Sequence, residues 1–154
     1  MTHALSDLLH RERSHVDAFI DMLHAEAEIL GDPAALEALS ALTERKEALA
    51  RELAVIGEQR DQLLRQDGLA AGFDGMEAAC RTDPALSAAW AAVLEAARTA
   101  SALNRQNGAL IDAHLSHTQA SIQGLRQLQA GNTAVYDAYG KTRNAGVRRA
   151  IAAG

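Results

Sequence analysis

The stretch ILGDPAALEALSAL, Ile29 to Leu42, decides the fold. Its centre, Gly31-Asp32-Pro33, carries three punctuation signals in a row. Gly31 is expected to take the left-handed conformation that ends a helix, Asp32 to cap the next one, and Pro33 to fit that helix's first turn. So short a connection folds the second helix back antiparallel to the first. Upstream, Leu9, Val16, Phe19, Leu23 and Leu30 recur in steps of three and four, which predicts a helix from about Ala4 to Leu30 with Glu12 and Glu26 in the gaps. Downstream, Leu39, Leu42, Leu49, Leu53, Ile56 and Leu63 form a heptad seam over Pro33 to about Gln66. Lys46 and Arg60 interrupt that seam. The plainer expectation is that their stems cover it while their heads reach water. The sharper one is that they pair with Glu12 or Glu26, and the register between the helices is not legible in the sequence.

The composition agrees with helices. Of 154 residues, 48% are hydrophobic but only 3% aromatic, so the apolar content is chiefly alanine and leucine, which favour helix over strand. The length suits one domain with one core. A net charge of -5 argues against a nucleic-acid binder, because neutralising phosphates takes a basic face. Cys80 is the sole cysteine, which excludes an internal disulfide and fits a reducing compartment. The start, MTHALSDLLHRERSH, has no apolar signal region, and no run nears the ~20 apolar residues that cross a bilayer. A cytoplasmic protein without membrane insertion is expected.

Beyond Gln66 the segment QDGLAAGFDG, to Gly75, holds three glycines and reads as a loop, followed by a short helical piece around Met76 to Arg81. Asp83-Pro84 repeats the cap-and-proline signal, and a third long helix is predicted to run to about Ala130. Its stripe reads Trp90, Leu94, Ala97, Ser101, Asn104, Gly108, Ile111, Leu115, Thr118, Ile122 and Leu125, thin and partly polar. Within it LNRQNGALI, Leu103 to Ile111, places Asn104, Asn107 and Gly108 mid-helix, where each costs roughly 0.5 to 1 kcal/mol relative to alanine. From Gly131 the chain holds four of the eleven glycines, both tyrosines, and Lys141, Arg143, Arg148 and Arg149 against one acid, Asp137. That predicts a flexible, mildly basic tail. The fold class is therefore all-α: an elongated antiparallel helical hairpin plus a third long helix, a coiled-coil-like bundle over residues 1–130, with the tail over 131–154.

Catalytic constellations are scarce. Glu12-Arg-Ser-His15 has the Glu-x-x-His form of dimetal carboxylate bundles, but the nearest second copy, Asp21-Met-Leu-His24, falls on the same helix rather than a facing one. His114 and His117 flank Leu115 and read as solvent-facing. Cys80 has no histidine near it in sequence, and there is no phosphate loop, zinc motif or nucleophile elbow. No enzyme, metal or cofactor is expected. A helical hairpin, an under-filled third seam and a tail with tyrosines describe a protein that holds another helix, each buried aliphatic side chain contributing roughly 1.5 to 3 kcal/mol.

LNRQNGALI resembles the Leu-Asn-x-x-Asn-Gly-x-Leu-Ile block of the FlgN family, flagellar type III export chaperones of the hook-associated junction proteins. YDAYGKT resembles that family's Tyr-Gly-x-x-Gly-x-Thr tail motif at Tyr136, Gly140 and Thr142, with Asp137 in place of its first glycine. The spacing of Leu23, Glu26, Lys46, Leu53 and Arg60 is similar to the family's as well, so the resemblance spans nearly the whole chain. It implies a cytoplasmic chaperone that binds the C-terminal segments of hook-associated proteins 1 and 3, prevents their premature polymerisation, and delivers them to the cytosolic domain of the export gate. It places client contacts at the end of the third helix and the start of the tail, here Ile111, Leu115, Ile122, Leu125, Leu128 and Val135, and gate docking at Tyr136. Asn104 and Asn107 are expected to bond across a helix interface and fix its register, while Gly108 lets another backbone come close. The plainer alternative confines all three to the chain's own bundle. The heptads alone would also suit a constitutive coiled-coil adaptor without an export role. The oligomeric state, a homodimer included, stays open.

Overall fold

A computed structural model describes the backbone of residues 2–152 and the side chains of residues 3–130. Helix α1 spans Thr2–Gly31, a 3-10 helix spans Pro33–Ala38, and α2 continues as Leu39–Gln66. Helix α3 spans Gly72–Thr82 and α4 spans Ala85–Ala152. The chain divides into two compact units, Met1–Ile111 and Asp112–Gly154, with α4 supplying residues to both. Helix α4 continues past its expected end near Ala130 to Ala152, and the side chains of the tail expected from Gly131 onward lie outside those described.

Proline, rather than glycine, stops α1. Gly31 is its last helical residue and has no positive φ, contrary to the expected left-handed cap. Asp32 instead leaves the helical region (φ -125°, ψ 105°), the extended conformation a following proline imposes. Its Oδ1 then accepts the Ala34 N–H at 3.0 Å. The same device recurs at Asp83, extended before Pro84, whose Oδ1 accepts the Ala85 N–H at 3.0 Å and opens α4. The second helix is not one continuous α-helix from Pro33 as expected. Its first six residues are 3-10, and none of them is buried, so nothing in the core selects the wider α turn there.

Helix α3 begins at Gly72, four residues before the expected start, and absorbs part of the predicted loop. Gly68 (φ +73°) and Gly72 (φ +77°) occupy backbone that side chains disfavour. The Gly72 N–H donates to Asp61 Oδ1 at 3.0 Å. Gly75 is buried against the Ala70 carbonyl, with which a Cβ would collide. The glycines that made this segment look like a loop are what let a helix fold tightly onto the end of α2.

Ion pairs show that α1 and α2 are antiparallel in heptad register. Moving along α1 from Glu12 to Glu26, the partner on α2 moves back from Arg60 to Lys46, two heptads each way. Helix α4 runs the other way, parallel to α1, since Arg13 bonds the Ala92 carbonyl and Asn107 bonds that of Leu23. One core cluster joins Leu5, Leu9, Leu64, Met76, Ala79, Leu86, Trp90 and Val93 at the α3 end. A second joins Val16, Leu23, Ala96 and Ala100, with Phe19, Ile20, Leu53 and Leu103 packed against it.

The buried line on α4 differs from the expected stripe. It runs through Leu86, Trp90, Val93, Ala96, Ala100 and Asn107, whereas Ala97, Ser101 and Asn104 are exposed. Alanine carries little apolar contrast, so between Val93 and Leu103 the phase of the helix is nearly silent in the sequence. In the structure the small side chains of Ala96 and Ala100 on the buried line pack in one cluster with Val16 and Leu23 of α1.

Candidate functional site

Two polar clusters interrupt the apolar interface of the first unit. In one, the Glu26 carboxylate is 1% exposed and accepts Lys46 Nζ at 2.8 and 3.2 Å. Asn107, 2% exposed, donates from Nδ2 to Glu26 Oε1 at 3.0 Å and to the Leu23 carbonyl at 2.8 Å. Three helices thus meet on one carboxylate. Lys46 Nζ also reaches Asn104 Oδ1 at 3.4 Å, a long contact at an exposed residue. In the other cluster the Arg60 guanidinium pairs with Glu12, approaches Asp61 at 3.5 Å, and lies 5.4 Å from the Trp90 ring centre. Trp90 Nε1 donates to Glu77 at 3.0 Å, and its ring meets Phe73 at 6.1 Å. Glu12 Oε2 is buried without a hydrogen-bond partner among the described residues.

These pairs correct the plainer expectation for Lys46 and Arg60. Their side chains are mostly buried, 19% and 14% exposed, and their charged heads turn inward to glutamates rather than out to water. An uncompensated carboxylate inside the bundle would cost several kcal/mol, so the glutamates require these cations.

The Asn-Gly block separates into three roles. Asn107 bonds across the helix interface as expected, holding α4 to α1. Asn104 contributes only its contact with Lys46. Gly108 departs from the expected close approach, since a Cβ there would meet nothing within 4 Å. No neighbour among the described residues makes glycine necessary at that position.

The titratable candidates disperse. His15 Nε2 faces Glu52 at 3.3 Å while Glu12 belongs to Arg60, so the two ends of the Glu-x-x-His motif serve different partners. His24, His114 and His117 are exposed. Burial pushes the Cys80 thiol up, opposed by a hydrogen bond from Ser87 and reinforced by Glu77 and Asp83. That thiol is the less reactive for it. Among the described residues no group of three or more His, Cys, Asp or Glu side chains is placed to hold a metal ion. None of the helices searched is long and apolar enough to cross a membrane.

The second unit has a different surface. Leu115, Ile122, Leu125 and Leu128 are 44% to 68% exposed, and every residue from Asp112 to Ala130 except Gly124 is exposed. Ile111, at the end of the first unit, is half-buried. Val135 and Tyr136 lie outside the described side chains. Large aliphatic side chains repeated along one stretch of helix, without a core of their own, are what a partner would cover.

A protein-family profile described as FlgN protein matches residues 1–144. The chain belongs to the FlgN family. A crystal structure of the FlgN chaperone from Bordetella pertussis is 43% identical in sequence. That match covers 81% of this chain and 98% of that one, with a TM-score of 0.55. Among curated proteins no significant match is found. FlgN proteins are flagellar export chaperones, a binding family rather than an enzyme family, which accords with an all-helical chain bearing an exposed aliphatic row.

Sequence reasoning missed the meeting of Glu26, Lys46 and Asn107, although it had singled out each residue. Glu26 and Lys46 are polar residues that interrupt the seams of α1 and α2, but Asn107 lies off the stripe expected for α4 and joins them only on the buried line of the structure. Only the register, which no local pattern carries, brings them together. It also passed over Leu110, an exposed aliphatic residue of α4 in the first unit.

Proposed function

We propose that this FlgN-family chaperone acts in the cytoplasm on hook-associated proteins 1 and 3. It covers their C-terminal segments against premature polymerisation and carries them to the cytosolic domain of the export gate. The observation that carries the reading is the aliphatic row Leu115, Ile122, Leu125 and Leu128, exposed on a helix whose other half is well packed. An amphipathic segment laid along that row would bury four large side chains at roughly 1.5 to 3 kcal/mol each before ordering costs. Ile111 and Val135 extend the proposed client surface at its two ends. The division of labour assigns residues 1–130 to the helical chaperone domain and 131–154 to a flexible tail, where Tyr136, by its motif position, docks the gate. An aromatic ring with a hydroxyl suits such an anchor.

Titration of client C-terminal peptides and of the gate's cytosolic domain tests both halves together. Ile122→Asp is expected to lower client affinity about thirtyfold, a loss of ~2 kcal/mol, with helical content unchanged. Tyr136→Ala is expected to leave client affinity within about threefold and to weaken gate docking by roughly thirtyfold. Undiminished client binding by Ile122→Asp would remove the row from the client site. Equal losses of Tyr136→Ala in both titrations would place that tyrosine with the client instead.

A further inference from the structure

Three of the four exposed aliphatics of the second unit fall on an alternation of threes and fours, Leu115, Thr118, Ile122 and Leu125, which is the a/d seam of a coiled coil, while Leu128 takes a flanking g position. In that frame Leu115 and Ile122 take a positions and Thr118 and Leu125 take d positions. Asp112, Gln119 and Arg126 take the flanking e positions, and all three are exposed. An antiparallel pairing of two such helices sets each a residue opposite a d residue and each e residue opposite another e. Leu115 then faces Leu125 of the second copy, and Ile122 faces Thr118, so no layer sets threonine against threonine. The same register sets Asp112 against Arg126 of the second copy at both ends, with Gln119 meeting its own mate on the dyad.

Parallel pairing lacks this complementarity. It would set Ser121 against Arg126 and His114 against Gln119, with no pair of opposite charges, and would stack Thr118 on Thr118.

We infer that residues 112–128 of α4 form a symmetric antiparallel dimer contact with a second copy of this chain, centred on Gln119. The interface is isologous, as a two-fold axis requires, and each Asp112–Arg126 pair is generated twice. Its seam covers Leu115, Ile122 and Leu125 of the aliphatic row assigned above to client, so the free protein does not present those three side chains to the cell uncovered. Opposite charges at the rim fix orientation and register more than they add affinity. The contact is short, and it is therefore reversible. The inference does not depend on the identity of the client, because it concerns the isolated chain.

Sedimentation equilibrium of the full chain is the first test, with a monomer–dimer transition expected at micromolar concentrations. Arg126→Asp, which sets acid against acid at both ends, is expected to weaken dimerisation about tenfold, and the double variant Asp112→Arg/Arg126→Asp to restore it. In a Cys80→Ser background, Gln119→Cys is expected to crosslink to its mate through a short bis-maleimide, whereas Ser116→Cys on the outer face is not. Circular dichroism of each variant shows whether it remains helical. A chain that stays monomeric at high concentration overturns the inference. So does a dimer indifferent to both charge variants and uncrosslinked at position 119. If Gln119→Cys is shielded from maleimide only when hook-associated peptide is added, client alone covers the face and the self-contact falls, while the client reading stands.

Discussion

Residues 3–111 and residues 112–130 are both helical, yet they spend their side chains in opposite ways. The first stretch buries charges. Glu26 and Glu12 sit inside a helical interface, each held by a cation from α2, and Asn107 on α4 completes the Glu26 cluster. The second stretch exposes aliphatics, with Leu115, Ile122, Leu125 and Leu128 facing solvent. In ordinary globular packing the assignments would be reversed. Buried ion pairs add little net stability over apolar residues of equal volume, but they penalise every arrangement that separates them. A bundle built from alanine and leucine has few distinctive shapes, and polar contacts at defined positions select one register among several. The exposed stretch needs no such selection from its own chain.

The largest expected effect sharpens that contrast. Lys46→Met removes the cation and leaves Glu26 with Asn107 alone, at a cost of about 3 to 5 kcal/mol in chemical denaturation. Glu26→Leu combined with Lys46→Met should recover most of that loss, because both charges leave together. If the double variant is as unstable as the single one, the pair stabilises by more than mutual compensation, and the register argument weakens. Asn107→Leu comes next. It keeps the branched four-heavy-atom shape while removing both interhelical donations, and about 1 to 3 kcal/mol should be lost. Proton-exchange protection should fall in α4 near residue 107 more than in α2.

Gly108→Ala is expected to act in the opposite direction. With open space where the Cβ would go, alanine should stabilise the helix by up to ~1 kcal/mol, raising the thermal midpoint slightly. A loss of stability would mean that something packs on Gly108 in solution. The smallest effect belongs to the open row. Leu115→Ser and Leu125→Ser should each change monomer stability by less than about 0.5 kcal/mol, because neither side chain leaves a core. Denaturation at low concentration, compared with client titration, separates a surface row from a hidden core.

Much of this fold can be read from residues 29 to 42 and their flanks. Punctuation by Gly-Asp-Pro and the heptads around it predict the antiparallel pair, and α2 ends at Gln66 as its seam suggests. Asp-Pro signals are legible because their mechanism is local, an extended residue before proline and a carboxylate beside an amide. Two features were less legible, for different reasons. The phase of α4 was misplaced because Ala96, Ala97, Ala100 and Ser101 differ too little in hydrophobicity to mark a face. The inward pairing of Lys46 and Arg60 depends on how two helices slide past one another, a relation that neither helix encodes alone. Of the candidate site, Asn107 bonds across the helix interface, Asn104 makes only a marginal contact, and no described residue approaches Gly108.

One consequence of the Trp90 environment is optical. It is the chain's only tryptophan, and its buried indole is set among Arg60, Glu77 and Phe73 where α2, α3 and α4 converge. Both tyrosines, Tyr136 and Tyr139, lie beyond residue 130. The two kinds of chromophore are therefore segregated along the sequence. Indole emission reads the bundle alone, and phenol signals read the C-terminal segment alone. With no label added, the protein carries two spectroscopic channels: one that registers whether its bundle is intact, and one confined to the segment beyond residue 130.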